Sequence, residues 1–286
     1  MATSDDRYSS GVDVRRLFDL EPHGPDTLVG IGPRYPWGGL YGGQIVAQAL
    51  RAAASSVEPD FAAHSMRAYF IRRGDHNEPV RYEVDRIRNG RTFVTRRVVA
   101  RQATGAILNC EASFQIPEMT RNLQTVFMPE GLPAPDDLPD STWSPAFDRR
   151  SIPQSALSET GHLGAGRSAA WMRLSAALGN DGVLHRCWLA YLSDDLPTDA
   201  VEWALGDGDT RHSPGYSASL DHTIWFHRQP RVDQWHLHDF TCLGFVGGRG
   251  LALGQIFSAD GEHVATVAQE VLSREPVEDR GARPAD

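Results

Sequence analysis

The sequence predicts an α+β protein made of two similar halves, each an α-helix followed by antiparallel strands. Three observations carry this. Short alternating apolar segments recur in both halves, separated by the turn pairs Asn89-Gly90, Thr104-Gly105 and Asp260-Gly261. Two landmarks repeat at one offset of 156 residues: Tyr69-Phe-Ile-Arg-Arg73 returns as Trp225-Phe-His-Arg-Gln229, and Gly105 as Gly261. Between the halves, seven prolines (117, 129, 133, 135, 139, 145 and 153) mark a stretch too proline-rich for a central strand or helix.

In the first half, Gly42-Gly43-Gln44 opens a segment with Ile45, Val46, Ala49 and Leu50 at helical spacing. Strands are expected at residues 67–72, 80–86, 92–102 and 106–116. In the second half, residues 189–205 are the expected helix, followed by strands at 219–227, 235–243, 250–258 and 264–273. The units are residues 12–117 and 166–275, joined by a linker at 118–165, with a polar tail at 276–286.

Composition narrows the function. The chain has 286 residues, 41% of them apolar, which is material for a substantial core. Its apolar runs are short and interrupted, well under the ~20 residues that cross a bilayer, so no membrane role is expected. The N-terminus is polar and acidic and lacks the features of a secretory signal, so a cytoplasmic protein is expected. A net charge of -9 disfavours nucleic acid as a partner, because phosphate neutralisation wants a basic surface. Cys110, Cys187 and Cys242 are odd in number and far apart, which offers neither a disulfide framework nor a CxxC metal knuckle. All 28 positive residues are arginine. With no lysine, Schiff-base chemistry, a P-loop lysine and a kinase-type lysine are excluded.

Six blocks then point to a family. In the first half they are Tyr41-Gly-Gly-Gln-Ile-Val-Ala-Gln-Ala-Leu50, His64-Ser-Met-Arg-Ala-Tyr-Phe-Ile-Arg-Arg-Gly-Asp75 and Arg88-Asn-Gly-Arg-Thr-Phe-Val-Thr-Arg-Arg-Val98. In the second they are Tyr191-Leu-Ser-Asp194, Ala218-Ser-Leu-Asp-His-Thr-Ile-Trp-Phe-His-Arg228 and Ala268-Gln-Glu270. In this order the chain resembles the acyl-CoA thioesterase II family. The resemblance implies a double hotdog, two antiparallel sheets each wrapping a central helix within one chain, and a homo-oligomer, dimer or tetramer. It implies hydrolysis of acyl-CoA to free fatty acid and coenzyme A, without metal or redox cofactor.

The family's water-holding group, carried over by position, falls on Asp194, Ser219 and Gln269; many relatives have Thr where this chain has Ser219. The chemistry suits these types. A thioester carbonyl is already electrophilic, so the enzyme must present a water and meet an oxyanion. A carboxylate can take the water's proton as general base. A hydroxyl and an amide can hold that water with matched donors and acceptors. Backbone N–H groups at the helix start, Gly42, Gly43 and Gln44, would face the oxyanion, with glycine allowing close approach. Taken without the resemblance, Asp194 reads as a helix N-cap and Ser219 says nothing, while Gln269 is an odd amide inside an apolar strand. At the offset of 156, Ala63 stands opposite Ser219 and Ser113 opposite Gln269, so one active centre per chain is expected.

Two rival readings accompany this one. A hotdog hydratase or dehydratase would call for an Asp-His pair, and Asp221-His222 is the adjacent candidate. A non-catalytic acyl-CoA-binding protein would keep the site without turnover. Elsewhere, His236-Leu-His238 places two imidazoles on one strand face with no third ligand nearby, and His64 and His222 head strands. The stretch Gly161-His-Leu-Gly-Ala-Gly166 has no preceding strand to make it a dinucleotide loop. Ten arginines between Arg67 and Arg101 are either a dock for coenzyme A phosphates or outward, charge-balanced strand positions. Trp37, Tyr69, Phe93 and Trp225 are candidates for the end of an acyl tunnel.

Overall fold

The computed structural model describes residues 16–159, 166–207 and 210–275. The expected tail at 276–286, the first residues of the N-terminal unit and most of the Gly161–Gly166 stretch lie outside the described residues. The first half holds β1 (Glu21–Pro22), β2 (Thr27–Gly30), α1 (Gly42–Ala54), β3 (Ala62–Phe70), β4 (Val80–Asn89), β5 (Phe93–Gln102) and β6 (Gly105–Gln115). The second holds β7 (Phe147–Ser151), α2 (Gln154–Glu159), β8 (Arg167–Leu174), α3 (Gly182–Leu192), α4 (Pro197–Leu205), β9 (Tyr216–Ser219), β10 (Asp221–Phe226), β11 (His236–Val246), β12 (Arg249–Ser258) and β13 (His263–Arg274).

The expected two sheets are continuous. The order is β1-β2-β4-β5-β6-β3-β10-β13-β12-β11-β8-β7, with β9 also on β13, and the halves join where β3 pairs antiparallel with β10. The repeat extends through the strands: β5 and β12 begin at Phe93 and Arg249 and end at Gln102 and Ser258, an offset of 156 at both ends. Helix α1 lies over β2 to β6, and α4 lies over β8, β9, β11, β12 and β13. Glycines at positive φ, Gly105 at 109° and Gly261 at 82°, close the corresponding hairpins β5–β6 and β12–β13.

The single helix expected at 189–205 is two. Pro197 occupies the first turn of α4, and its ring and missing N–H forbid continuation of α3 through that point. Asp181, whose Oδ1 accepts from the N–H groups of Val183 and Leu184 at 3.0 Å each, caps the start of α3 well before residue 189. The proline-rich stretch at 118–165 also carries structure. Its β7 is the edge strand of the sheet, the one place where a neighbour on one side suffices.

The main core lies between the helices and the inner face of the sheet. Val46, Leu50, Trp188, Tyr191 and Val201 from the helices meet Met66, Val98, Leu108, Phe240, Ile256 and Val267 from the strands, all nearly inaccessible to solvent. On the outer face of the second half, Trp171, Leu237 and Phe257 form a smaller core under Met128, Leu132 and Leu138. Trp171 Nε1 donates to Pro133 O at 3.0 Å, which ties the proline-rich segment down. No helix among the described residues is long and apolar enough to cross a membrane.

Candidate active site

Asp194 sits where the chain turns from α3 into α4. It therefore follows a helix end rather than capping a helix start; Ser193 is the C-cap of α3 and Leu196 the N-cap of α4. The carboxylate is buried, 7% exposed, and reaches across to the first turn of α1. Its neighbours are uncharged donors: the backbone N–H of Gly43, the amide of Gln269 and the hydroxyl of Ser219. Burial, supported by repulsion from Asp195, outweighs those donors and pushes the Asp194 pKa up to about 7. Asp195 next door is treated differently. Arg149 Nε donates to it at 2.7 Å and Trp143 Nε1 at 2.6 Å, so a guanidinium holds that charge.

Gln269 lies on β13 among Val267 and Val271, on the face that alternates inward, and is fully buried. Its Nε2 donates to Ser219 Oγ at 2.7 Å, and Ser219 Oγ donates to Asp194 Oδ1 at 3.4 Å. The three carried-over residues therefore meet in space, from a helix link, a strand end and a strand centre. A bulge makes this possible. Ser219 pairs with Val271 and Thr223 with Ala268, so the strand gains one residue between them. Without it, Ser219 and His222 would point to opposite faces; with it, both reach Gln269, the imidazole Nδ1 lying 2.5 Å from Gln269 Oε1.

Gly42 and Gly43 begin α1 directly beneath Asp194. A β-carbon on Gly42 would stand 2.6 Å from Asp194 Oδ2, and one on Gly43 would stand 2.3 Å from the backbone oxygen of Tyr191. At Gly43 backbone contact requires glycine, because α1 crosses α3 at this point, whereas a β-carbon on Gly42 would press on the side chains of Asp194 and Phe70. The Gln44 side chain turns away into the core, accepting from Tyr35 Oη at 2.8 Å and donating to Gln48 Oε1 at 3.3 Å. Only its backbone N–H is left to face a substrate, as the first N–H groups of a helix have no intrahelical acceptor. Tyr41, Trp143 and Tyr191 pack edge to face beside this helix start, with ring centroids 4.9 to 5.4 Å apart.

Several other candidates part company with the site. Asp221 Oδ1 accepts the N–H of Glu270 and its other oxygen faces Arg67, while His222 points inward, so the Asp221-His222 pair does not converge on one substrate. Tyr69 and Trp225 lie on the exposed outer face of the sheet and cannot end an interior tunnel. Phe93 meets His64 edge-on, and His64 Nε2 lies 2.8 Å from Ser113 Oγ. Trp37 stacks on Tyr35 at 5.0 Å, close to the α1 start. Among the arginines, Arg81 and Arg101 share Glu83, Arg86 holds Asp26, and buried Arg96 donates to the backbone oxygen of Ser56 just past α1. These contacts favour the charge-balanced reading of the cluster. His236 Nδ1 lies 2.9 Å from Gln234 O, and among the described residues no cluster of three potential metal ligands includes it or His238.

What sequence reasoning missed here is His222 as a member of the group and Tyr35, Gln44 and Gln48 as one buried network. The bulge that brings His222 in is a matter of register, which a single strand does not announce. The Gln44–Gln48 pair, at helical spacing on an otherwise apolar face, was the available signal for the network.

Comparison with known proteins adds the family. The model of the acyl-CoA thioesterase N-terminal domain matches residues 32–115, and that of the acyl-CoA thioesterase C-terminal domain matches residues 128–273. Acyl-coenzyme A thioesterase 8 of Mus musculus is 33% identical over 91% of this chain and 88% of its own length. The solved structure of acyl-CoA thioesterase II TesB2 from Mycobacterium marinum is 34% identical, with a TM-score of 0.82 over 96% of this chain and all of that one. A hot dog fold protein of unknown function from Alicyclobacillus acidocaldarius, 22% identical, shares the fold with a TM-score of 0.77 over 93% of this chain and 99% of that one. With two domain models matching in order and a relative aligned along nearly its whole length, the chain belongs to the acyl-CoA thioesterase family, and its fold is the hotdog fold.

Proposed function

We propose that this thioesterase hydrolyses acyl-CoA with a water held by Asp194, Ser219 and Gln269. The observation that carries the reading is the buried meeting of these three side chains beside the N-terminus of α1. Asp194 takes the water's proton; a carboxylate whose pKa stands near 7 is a better base than an exposed one, and still ionised at neutral pH in a useful fraction. Ser219 and Gln269 orient the water, and the hydroxide adds to the thioester carbon. The oxyanion is received by the N–H groups of Gly42 and Gln44 in the first turn of α1, where the helix dipole favours negative charge; the Gly43 N–H, expected to join them, is taken by Asp194. Collapse of the tetrahedral intermediate expels the coenzyme A thiolate, which takes up a proton, and leaves the free fatty acid.

The same reading takes the fold as a double hotdog, with units at residues 12–117 and 166–275 joined by 118–165. The strand correspondence at 156 residues and the two helices over matching strands support it. It also takes the protein as a cytoplasmic homo-oligomer, dimer or tetramer, acting in lipid metabolism, which light scattering and cell fractionation test. The test of the chemistry is thiol release from short, medium and long acyl-CoAs by wild type beside Asp194→Asn. Steady release that falls about 100-fold or more in the variant is expected. No release across the whole panel would defeat the hydrolytic reading.

A further inference from the structure

The amide of Gln269 can face either way in its socket, and only one way serves the site. With Nε2 toward Ser219 and Asp194 it donates to both; reversed, it would put its oxygen against a carboxylate and leave that carboxylate short of donors. Gln269 Oε1 meets His222 Nδ1 at 2.5 Å, and the far ring nitrogen, Nε2, meets Ser193 Oγ at 3.0 Å. His222 is fully buried. Ser193 precedes Asp194 in the chain, so the contacts close a ring: Ser193, His222, Gln269, Ser219, Asp194.

We propose that His222 is a positioning residue that sets which way the Gln269 amide faces; this rests on the water-holding role given to Gln269 above. A neutral imidazole carries one N–H. The partner at Nδ1 is an amide oxygen when the site is correctly set, and that oxygen can only accept. The partner at Nε2 is a hydroxyl, which can donate. Ser193 Oγ also lies 3.0 Å from Ala190 O, so its one proton has two acceptors within reach. With the ring proton on Nδ1 facing the amide oxygen, Ser193 turns its hydroxyl from Ala190 O to Nε2, and every donor in the chain points toward Asp194. With the proton on Nε2 instead, Nδ1 would demand a donor and Gln269 would turn its NH2 away from Ser219. The bulge between Ser219 and Thr223 serves this arrangement, since it is what places Ser219 and His222 on one face.

The test contrasts three variants. Asparagine places its side-chain NH2 near the position of Nδ1, glutamine near that of Nε2, and leucine offers neither. His222→Asn is expected to keep kcat within about fivefold of wild type. His222→Gln and His222→Leu are expected to lose about 10- to 100-fold in kcat, the size of effect that hydrogen-bond partners behind metal ligands show when removed. KM should stay within about twofold in all three. In wild type with 15N-labelled histidine, the His222 resonances should show a protonated Nδ1 and a bare Nε2 at pH 8, and Ser193→Ala should weaken that preference. A protonated Nε2 in wild type, unchanged kcat in His222→Leu, or equal losses in all three variants would overturn the assignment. The imidazole spectrum reads His222 without turnover, so absence of thiol release in wild type would count against the hydrolytic reading and not against this contact.

Discussion

A β-carbon placed on Gly42 would stand 2.6 Å from the Oδ2 oxygen of Asp194, 152 positions further along the chain. The Asp194 carboxylate of the second half thus rests on the helix start of the first.

Gly42→Ala should move Asp194 and leave the fold in place. Phe70 is the other neighbour of the added methyl, at 3.0 Å, so the side chains must give by several tenths of an ångström. Loss of about 10- to 100-fold in kcat is expected, with an unchanged circular dichroism spectrum, because small displacements of a positioned group are costly. Gly43→Ala meets backbone instead, at Tyr191 O, and should lower the melting temperature as well as the rate.

The pH profile should report Asp194. Only the ionised carboxylate can accept a proton, so kcat/KM should rise with pH through an apparent pKa of about 7 and level off above it. Asp194→Asn should remove the rise along with the rate. A profile flat from pH 5 to 9 in wild type would place the base elsewhere.

Stability should change with pH in the matching sense. Burial raises the folded-state pKa of Asp194 from 3.8 to about 7, so the folded protein favours the neutral acid. Stability from this group is full below pH 3.8 and lost as pH rises through about 7. Asn has no charge to desolvate. Asp194→Asn should therefore melt a few degrees above wild type at pH 8, and the gap should narrow toward pH 4.

The two halves should respond unequally. Gln269→Ala should cost activity, as it removes the donor to Ser219 Oγ, whereas Ser113→Ala should leave thiol release near wild type. Ser113 bonds His64, away from Asp194, and has no link to the site on the described contacts. Equal losses would contradict a single centre per chain.

Gln48→Leu should cost stability rather than catalysis. Its amide donates to Leu17 O and Ile31 O at 2.8 and 2.9 Å, and its oxygen accepts from Tyr82 Oη at 2.7 Å. Leucine fills the space but orphans buried groups, a loss of about 3 kcal/mol on urea unfolding. KM and kcat should stay within about threefold, since the network points away from Asp194.

Much of this protein was legible from residue order. Strand periodicity, glycine turns and the 156-residue offset determined β3 to β6 and β10 to β13, because alternation of burial is written locally and survives any partner. Strand β8 was not expected: buried on both faces, it has no alternation to read. The resemblance to the thioesterase family also brought forward Asp194, Ser219 and Gln269. The residues alone left Asp194 as an ordinary cap, since a carboxylate beside a helix looks the same in either role. Pro197 was a readable break in the expected helix; the short strands β1, β2 and β7 at the two ends of the sheet carried too little pattern to announce themselves. Only the tertiary structure decided that the two sheets join at β3 and β10, that a bulge turns His222 toward Gln269, and that Gly42 meets Asp194. Those are relationships of register and close approach between segments remote in sequence. They follow from packing one surface on another, and no local propensity encodes them.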